Sequence, residues 1–179
     1  MKKILVGLII FVVIWFAILI QINLFNVITL AGTASNLGVV LVVSLGLMCG
    51  HTVGGIIGFT YGLLVDILYG KTIGLYVLSY LLLGYFCGKI GRDFSKENKT
   101  TIVAITGIGT ILFEIFYCAL GIFICDYDFS LFNFIITVLK EAIYNMIIAI
   151  ILFQPTSFLA EIINKSKNSY YLLWLKVIY

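Results

Sequence analysis

Apolar residues run along this chain in six blocks, at about 4–28, 33–49, 52–70, 72–91, 101–124 and 131–154, with short polar punctuation between them. Each block approaches or exceeds the roughly 20 residues a helix needs to cross the hydrocarbon of a bilayer. The second and third blocks are short and meet at a tight joint, residues 49–52. The first apolar run, Ile4 to Ile20, is longer than the about 7–15 residues of a signal-peptide core, and the small-residue stretch "AGTAS" lies far beyond it. It reads as a retained first helix. The last stretch, "PTSFLAEIINKSKNSYYLLWLKVIY", is of another kind. Pro155 predicts a break or restart of the helix. The final residues, "YYLLWLKVIY", are too short to span, and their aromatic content suits the headgroup level. The pattern predicts an all-α polytopic membrane protein. It would be a single six-helix transmembrane domain with a cytoplasmic interfacial tail at about 155–179.

Composition agrees. The chain is 63% hydrophobic and 11% charged, with a mean hydropathy of +1.19. Soluble domains carry about a quarter charged residues, so a soluble fold would lack the polar residues to cover its surface. Charge fixes the expected orientation. With Lys2 and Lys3 in the cytoplasm, six crossings place Lys89, Arg92, Lys96, Lys99, Lys165, Lys167 and Lys176 inside as well. Lys71 falls in an outer loop, and the outer 125–130 loop carries Asp126 and Asp128. The positive-inside rule then predicts that both termini are cytoplasmic. The net charge of +3 points to no nucleic acid partner.

The stretch "GHTVGGIIGFTYGLLVDILYGKTIG" carries the most specific pattern. Glycine stands at Gly50, Gly54, Gly58 and Gly62, then Asp66, then Gly70 and Gly74. Residues four apart share one ridge of a helix, so a glycine row is a groove that lets another backbone come close. In lipid, such small-residue rows are a principal means of helix association. Two readings stand: a tightly packed third helix within the bundle, or a groove for a helix of another protein. Gly84 and Gly88 give the fourth helix a shorter version of the feature. Asp66 lies about 14 residues into the third helix, roughly 20 Å from its inner end. An ionisable residue at depth is a functional candidate. The competing reading is a carboxylate that caps the turn "YGKTIG" or pairs with Lys71.

Further charges sit mid-span: Glu114 in the fifth helix, Lys140 and Glu141 in the sixth. Counted from the inner ends, the depths match to within a turn. Neighbours in sequence point about 100° apart on a helix, so Lys140 and Glu141 make a poor pair. The expectation is that Lys140 meets Glu114 across helices, while Glu141 joins Tyr144 and Asn145 on one polar stripe. The structural reading is a clasp that fixes helix register; the functional one is an ion or substrate path.

Enzymatic motifs are missing from the chain: no H-E-x-x-H, no G-x-S-x-G and no Walker glycine loop. His51 is the single histidine, so no His-based metal cluster is expected, and no cofactor. Cys49, Cys87, Cys118 and Cys125 form no C-x-x-C pair and read as small core residues.

Over "GHTVGGIIGFTYGLLVDILYGKTIGLYVLSYLLLGYFCG" the sequence resembles the MreD family of bacterial rod-shape proteins. The matching core is Gly54, Gly58, Gly62, Leu63 and Asp66, followed by Gly70, Gly74, Tyr76, Gly84 and Gly88. "EAIYNMIIAIIL" resembles the family's E-x-x-Y-N element at Glu141, Tyr144 and Asn145. One departure is the start of the second helix, where "ASNLG" keeps Asn36 but lacks the family's usual proline. The resemblance implies a non-enzymatic subunit of the cell-elongation machinery in the bacterial plasma membrane. It implies as partners the bitopic MreC, the MreB filaments, and RodA with a class B penicillin-binding protein. The family is also similar in fold to the substrate-binding S-components of energy-coupling-factor vitamin transporters, which supplies the alternative function. The short outer loops argue against a small ligand.

Overall fold

The computed structural model describes the backbone of residues 2–25, 33–69, 74–91, 98–125 and 131–178. Within these it describes the side chains of 4–23, 33–69, 74–91, 98–123 and 131–166. Gly70, Lys71, Arg92, Lys96, Asp126 and Asp128 lie outside the described residues.

The apolar blocks fold as six helices: α1 (Lys2–Ile20), α2 (Leu37–Cys49), α3 (His51–Tyr69), α4 (Leu75–Ile90), α5 (Lys99–Cys125) and α6 (Leu131–Ile178). A π-helical segment, Gln21–Phe25, continues α1. Four stretches are long and apolar enough to cross a membrane: Ile4–Asn23, His51–Tyr69, Lys99–Phe123 and Leu131–Ser166. The chain is a helical-bundle membrane protein.

Two blocks are shorter as helices than their apolar length predicts. The 33–49 block yields 13 residues of helix and the 72–91 block 16. For α2 the reason is its position. Its sequence, LGVVLVVSLGLMC, is apolar on every side, and all of it is buried. A helix apolar all round belongs inside other protein, and α2 touches each of the other five helices. Val39, Val40, Val42 and Val43 have 0% of their surface exposed. At 1.5 Å per residue α2 is about 20 Å long, so it cannot reach both faces of a hydrocarbon layer about 30 Å thick. Chain that ends at depth is tolerated only where protein satisfies its backbone.

Side chains from other helices do that. At the N-terminus, the Leu37 N–H donates to Gln21 Oε1 at 2.7 Å. The Val39 N–H donates to Asn36 Oδ1 at 3.3 Å, so Asn36 is the N-cap. The Asn36 N–H itself donates to Asn145 Oδ1 at 2.8 Å. Asn36 thus sets the entry into α2 without the family's proline. At the C-terminus, Gly50 turns the chain with φ 91°, a left-handed value that glycine adopts without strain, and its N–H donates to the Gly46 carbonyl. Asn164 Nδ2 reaches from α6 to the Met48 carbonyl at 3.2 Å.

That last bond corrects a sequence expectation. Pro155 was expected to break or restart the sixth helix, leaving a tail from 155 onward. Instead α6 runs through Pro155 without interruption. Leu159, Ala160 and Ile163 belong to the buried core with α2. Proline removes a backbone donor, but local hydroxyls engage the carbonyls beside the gap. Thr156 Oγ1 donates toward the Leu152 carbonyl at 2.7 Å and toward the Phe153 carbonyl at 3.0 Å. Ser157 Oγ donates to the Phe153 carbonyl at 2.7 Å.

Asn164→Leu keeps side-chain bulk but strips the Met48 carbonyl of its side-chain donor. The expected loss is about 1–3 kcal/mol of bundle stability. Reversible unfolding of the purified protein in mixed micelles measures it; an unchanged unfolding midpoint contradicts this role for Asn164.

Candidate functional site

The glycine row faces α4, and the two backbones touch. A Cβ built on Gly54 would strike the Gly84 carbonyl, and one on Gly84 would strike the Gly54 carbonyl. A Cβ on Gly58 would strike the Tyr80 carbonyl; one on Gly62 would lie 2.6 Å from the Tyr76 carbonyl oxygen and Val77 Cα. Gly88 meets the backbone of His51 in the same way. The groove is therefore filled from within the chain. Gly50 and Gly74 differ: nothing lies near their Cβ positions, and their φ values of 91° and 114° mark them as turn residues. The spacing alone could not separate these turn glycines from the seam.

Asp66 closes the seam at its far end. Its side chain is buried, 2% exposed. Oδ2 accepts from the N–H of Gly74 at 2.8 Å and of Val77 at 3.1 Å; Oδ1 accepts from the N–H of Tyr76 at 3.2 Å. These donors belong to the first turn of α4. Helix N-termini leave such donors unsatisfied and carry partial positive charge, so a carboxylate there is doubly favoured. Gly74, the N-cap, has no side chain to do this. Asp66 is a cap supplied by the preceding helix.

The polar residues of α5 and α6 gather around the start of α2. Asn145, with 0% exposure, accepts at Oδ1 from Ser35 Oγ (2.8 Å) and from the Asn36 N–H. Its Nδ2 donates to Thr110 Oγ1 at 3.0 Å. Tyr80 donates from its hydroxyl to Asn36 Oδ1 at 2.7 Å. Glu141 and Tyr144 are buried on the same side of α6 as Asn145. The carboxyl that meets Glu114 is that of Glu141, where Lys140 was expected. Lys140 lies on the exposed side of α6. Glu141 also reaches the amides of Asn145 and Asn36.

Beside this knot lies a cleft of about 280 Å³, where the end of α1 and the start of α2 meet the end of α3 and the start of α4. Gln21, Asn36, Tyr61, Tyr69, Tyr76 and Tyr80 line it with apolar neighbours. Gln21 Oε1 accepts from the Tyr61 hydroxyl at 3.3 Å, and Gln21 Nε2 donates to the Ser35 carbonyl at 3.2 Å. Gly38 makes room, since a Cβ there would strike the Tyr61 ring and approach the Tyr80 hydroxyl. Gln21, Ser35, Gly38, Tyr61, Tyr80 and Thr110 escaped the sequence reading. The signal for Gln21 was a lone amide at the end of an apolar run; the others sit in runs with no polar periodicity. Among the described residues, no three His, Cys, Asp or Glu side chains gather to hold a metal.

Compared with known proteins, residues 1–162 match the family model described as rod shape-determining protein MreD. No curated protein and no solved structure matches the chain.

Two outcomes follow from the seam and its cap. Gly58→Ala forces α3 off α4, and overpacking of this kind costs about 1–3 kcal/mol. Gly55→Ala, whose Cβ would meet only Tyr85 Cβ at 4.0 Å, is expected to be neutral or to stabilise by up to about 1 kcal/mol through helix propensity. Equal unfolding midpoints for the two variants would contradict the seam. Asp66→Asn leaves one acceptor for three N–H donors and turns an amide donor toward the rest. It should lower stability by about 1–3 kcal/mol. Faster amide hydrogen exchange at Gly74, Tyr76 and Val77 would locate the loss at the start of α4; unchanged exchange there refutes the cap.

Proposed function

The chain belongs to the family of the rod shape-determining protein MreD, and from that premise we propose that it is a non-enzymatic scaffold of the cell-elongation machinery. The observation that carries this reading is the family match over residues 1–162. The geometry supports it. Asp66 caps the first turn of α4, and Asn145 clasps α6 to α5 and to the start of α2.

In this reading the protein sits in the bacterial plasma membrane as a multi-pass subunit with both termini cytoplasmic. It binds MreC within or beside the membrane. Through MreC it is linked, directly or indirectly, to MreB, RodA and a class B penicillin-binding protein. The glycine row is taken up by α4, so a partner helix would dock elsewhere. The exposed face of α3, with Ile56, Phe59 and Ile67, and the length of α1 remain open to lipid or protein. The positive-inside bias supports the orientation.

The test is affinity purification of the tagged chain from rod-shaped cells, joined to depletion of the same chain. Recovery of MreC at near-stoichiometric yield, with rounding of depleted cells, is the expected result. Recovery of an ATPase module instead of MreC, with rods unchanged, would replace the scaffold reading with that of a transporter substrate-binding subunit.

A further inference from the structure

A groove of about 440 Å³ runs along the outside of the bundle, between α1 and α6 and over α2. One wall is α1 from Ile9 to Ile20, the other is α6 from Leu152 to Ile162, and Leu37 and Leu41 of α2 form the floor. At 1.5 Å per residue both walls are roughly 15–16 Å long. Volume over length then gives a mean cross-section of about 27 Å², or about 5 Å across. Phe16 and Phe158, 63% and 68% exposed, stand at the open side. Among the described lining residues, Thr156 alone carries a polar side chain, and its hydroxyl turns back onto the Leu152 and Phe153 carbonyls. A site lined in this way offers water no partners, and a dry void forfeits the contacts of its walls.

We propose that this groove holds one acyl chain of an anionic phospholipid, whose headgroup lies at the end where α1 begins and α6 reaches Lys165. Width decides against a helix, which with its side chains is about 10–12 Å across. Length fits a single lipid chain: a hydrocarbon layer about 30 Å thick gives each leaflet about 15 Å. Charge places the headgroup. Lys165 follows Ile162 by three residues, about 4.5 Å farther along α6. Lys2 and Lys3 open α1, and Lys3 precedes Ile9 by about 9 Å. Those intervals leave room for the glycerol and its esters between the chain and a phosphate at the level of the lysines. Lys165 Nζ lies 3.9 Å from Glu161 Oε2, an exposed pair one turn apart, and such pairs hold weakly. A phosphate therefore competes with Glu161 for the ammonium. The seated chain also covers Val12 and Phe16, which the other helices leave about half-exposed. It goes beyond the scaffold reading and does not depend on it.

The experiment is native mass spectrometry of the full chain, delipidated in detergent and titrated with dipalmitoyl phosphatidylglycerol. Dipalmitoyl phosphatidylcholine and dihexanoyl phosphatidylglycerol are the comparators for headgroup and chain. The expected result is one saturable phosphatidylglycerol per chain, held at least tenfold more tightly than either comparator. Val12→Trp fills the groove from α1, and Phe16→Ala with Phe158→Ala removes both rings at its open side. Each should weaken retention at least tenfold. Ile67→Trp, on the exposed face of α3, should leave it unchanged. Lys165→Gln should cut the preference for phosphatidylglycerol over phosphatidylcholine at least threefold. The proposal is overturned if no saturable lipid is retained, or if the short-chain lipid binds as well as the long. It is also overturned if retention survives in whichever groove variants fold, or if Lys165→Gln leaves the headgroup preference unchanged. A dimer that forms on delipidation and that Val12→Trp abolishes would give the groove to a second copy and overturn it too.

Discussion

A helix that is too short for the bilayer, and enclosed by every other helix, dictates where the polar residues of this protein must go. The 13 residues of α2 satisfy most of their own backbone, and the groups left over at both ends lie within the bundle. An unsatisfied backbone group in hydrocarbon costs several kcal/mol. The side chains that prevent this come from across the fold: Gln21 after α1, Asn36 and Ser35 before α2, Asn145 and Asn164 from α6. Thr110 of α5 and Tyr80 of α4 tie in behind them. The bonds that end one helix correctly thus also set the register of four others.

The glycine seam is a second constraint, and it acts through backbone rather than side chains. Where Cβ atoms are absent, α3 and α4 approach until carbonyl meets Cα. Dispersion rises steeply at such distances, and small-residue contacts are how helices associate where lipid removes the hydrophobic drive. The cost is helix propensity, about 1 kcal/mol per glycine in water and less in lipid, where the backbone must bond to itself anyway. The result is a rigid pair on which Asp66 fixes the end.

Much of this was legible in the sequence, for identifiable reasons. Apolar block length gave six helices because lipid demands continuous apolar surface. The four-residue glycine period predicted a close helix contact because residues four apart share one ridge, though the same period also took in the turn glycines Gly50 and Gly74. Which helix fills the seam was not legible, since a groove does not name its occupant. The partner of Glu114 was misjudged because depth matching cannot choose between adjacent residues. Lys140 and Glu141 lie one step apart in depth but about 100° apart in direction, and burial favours the carboxyl. Pro155 misled because its missing donor is local, whereas the hydroxyls of Thr156 and Ser157 that flank the gap look like ordinary small residues. Asp66 was read as a cap or a partner of Lys71, and the described contacts are to the backbone of α4.

Among the described residues, every buried side-chain nitrogen or oxygen has a hydrogen-bond partner. Here the buried carboxylate Asp66 is spent on three N–H groups, and the Asn145 amide is spent on Ser35, Asn36 and Thr110. Polar residues used this way fix geometry: Asp66 holds the start of α4, and Asn145 holds α6 to α5 and to the start of α2. The weakest attachment is α1. It touches α2, α3 and α6, yet most of its length faces outward, with Ile14, Ala17 and Ile18 as its buried contacts. Its bonds through Gln21 tie one end to the polar knot.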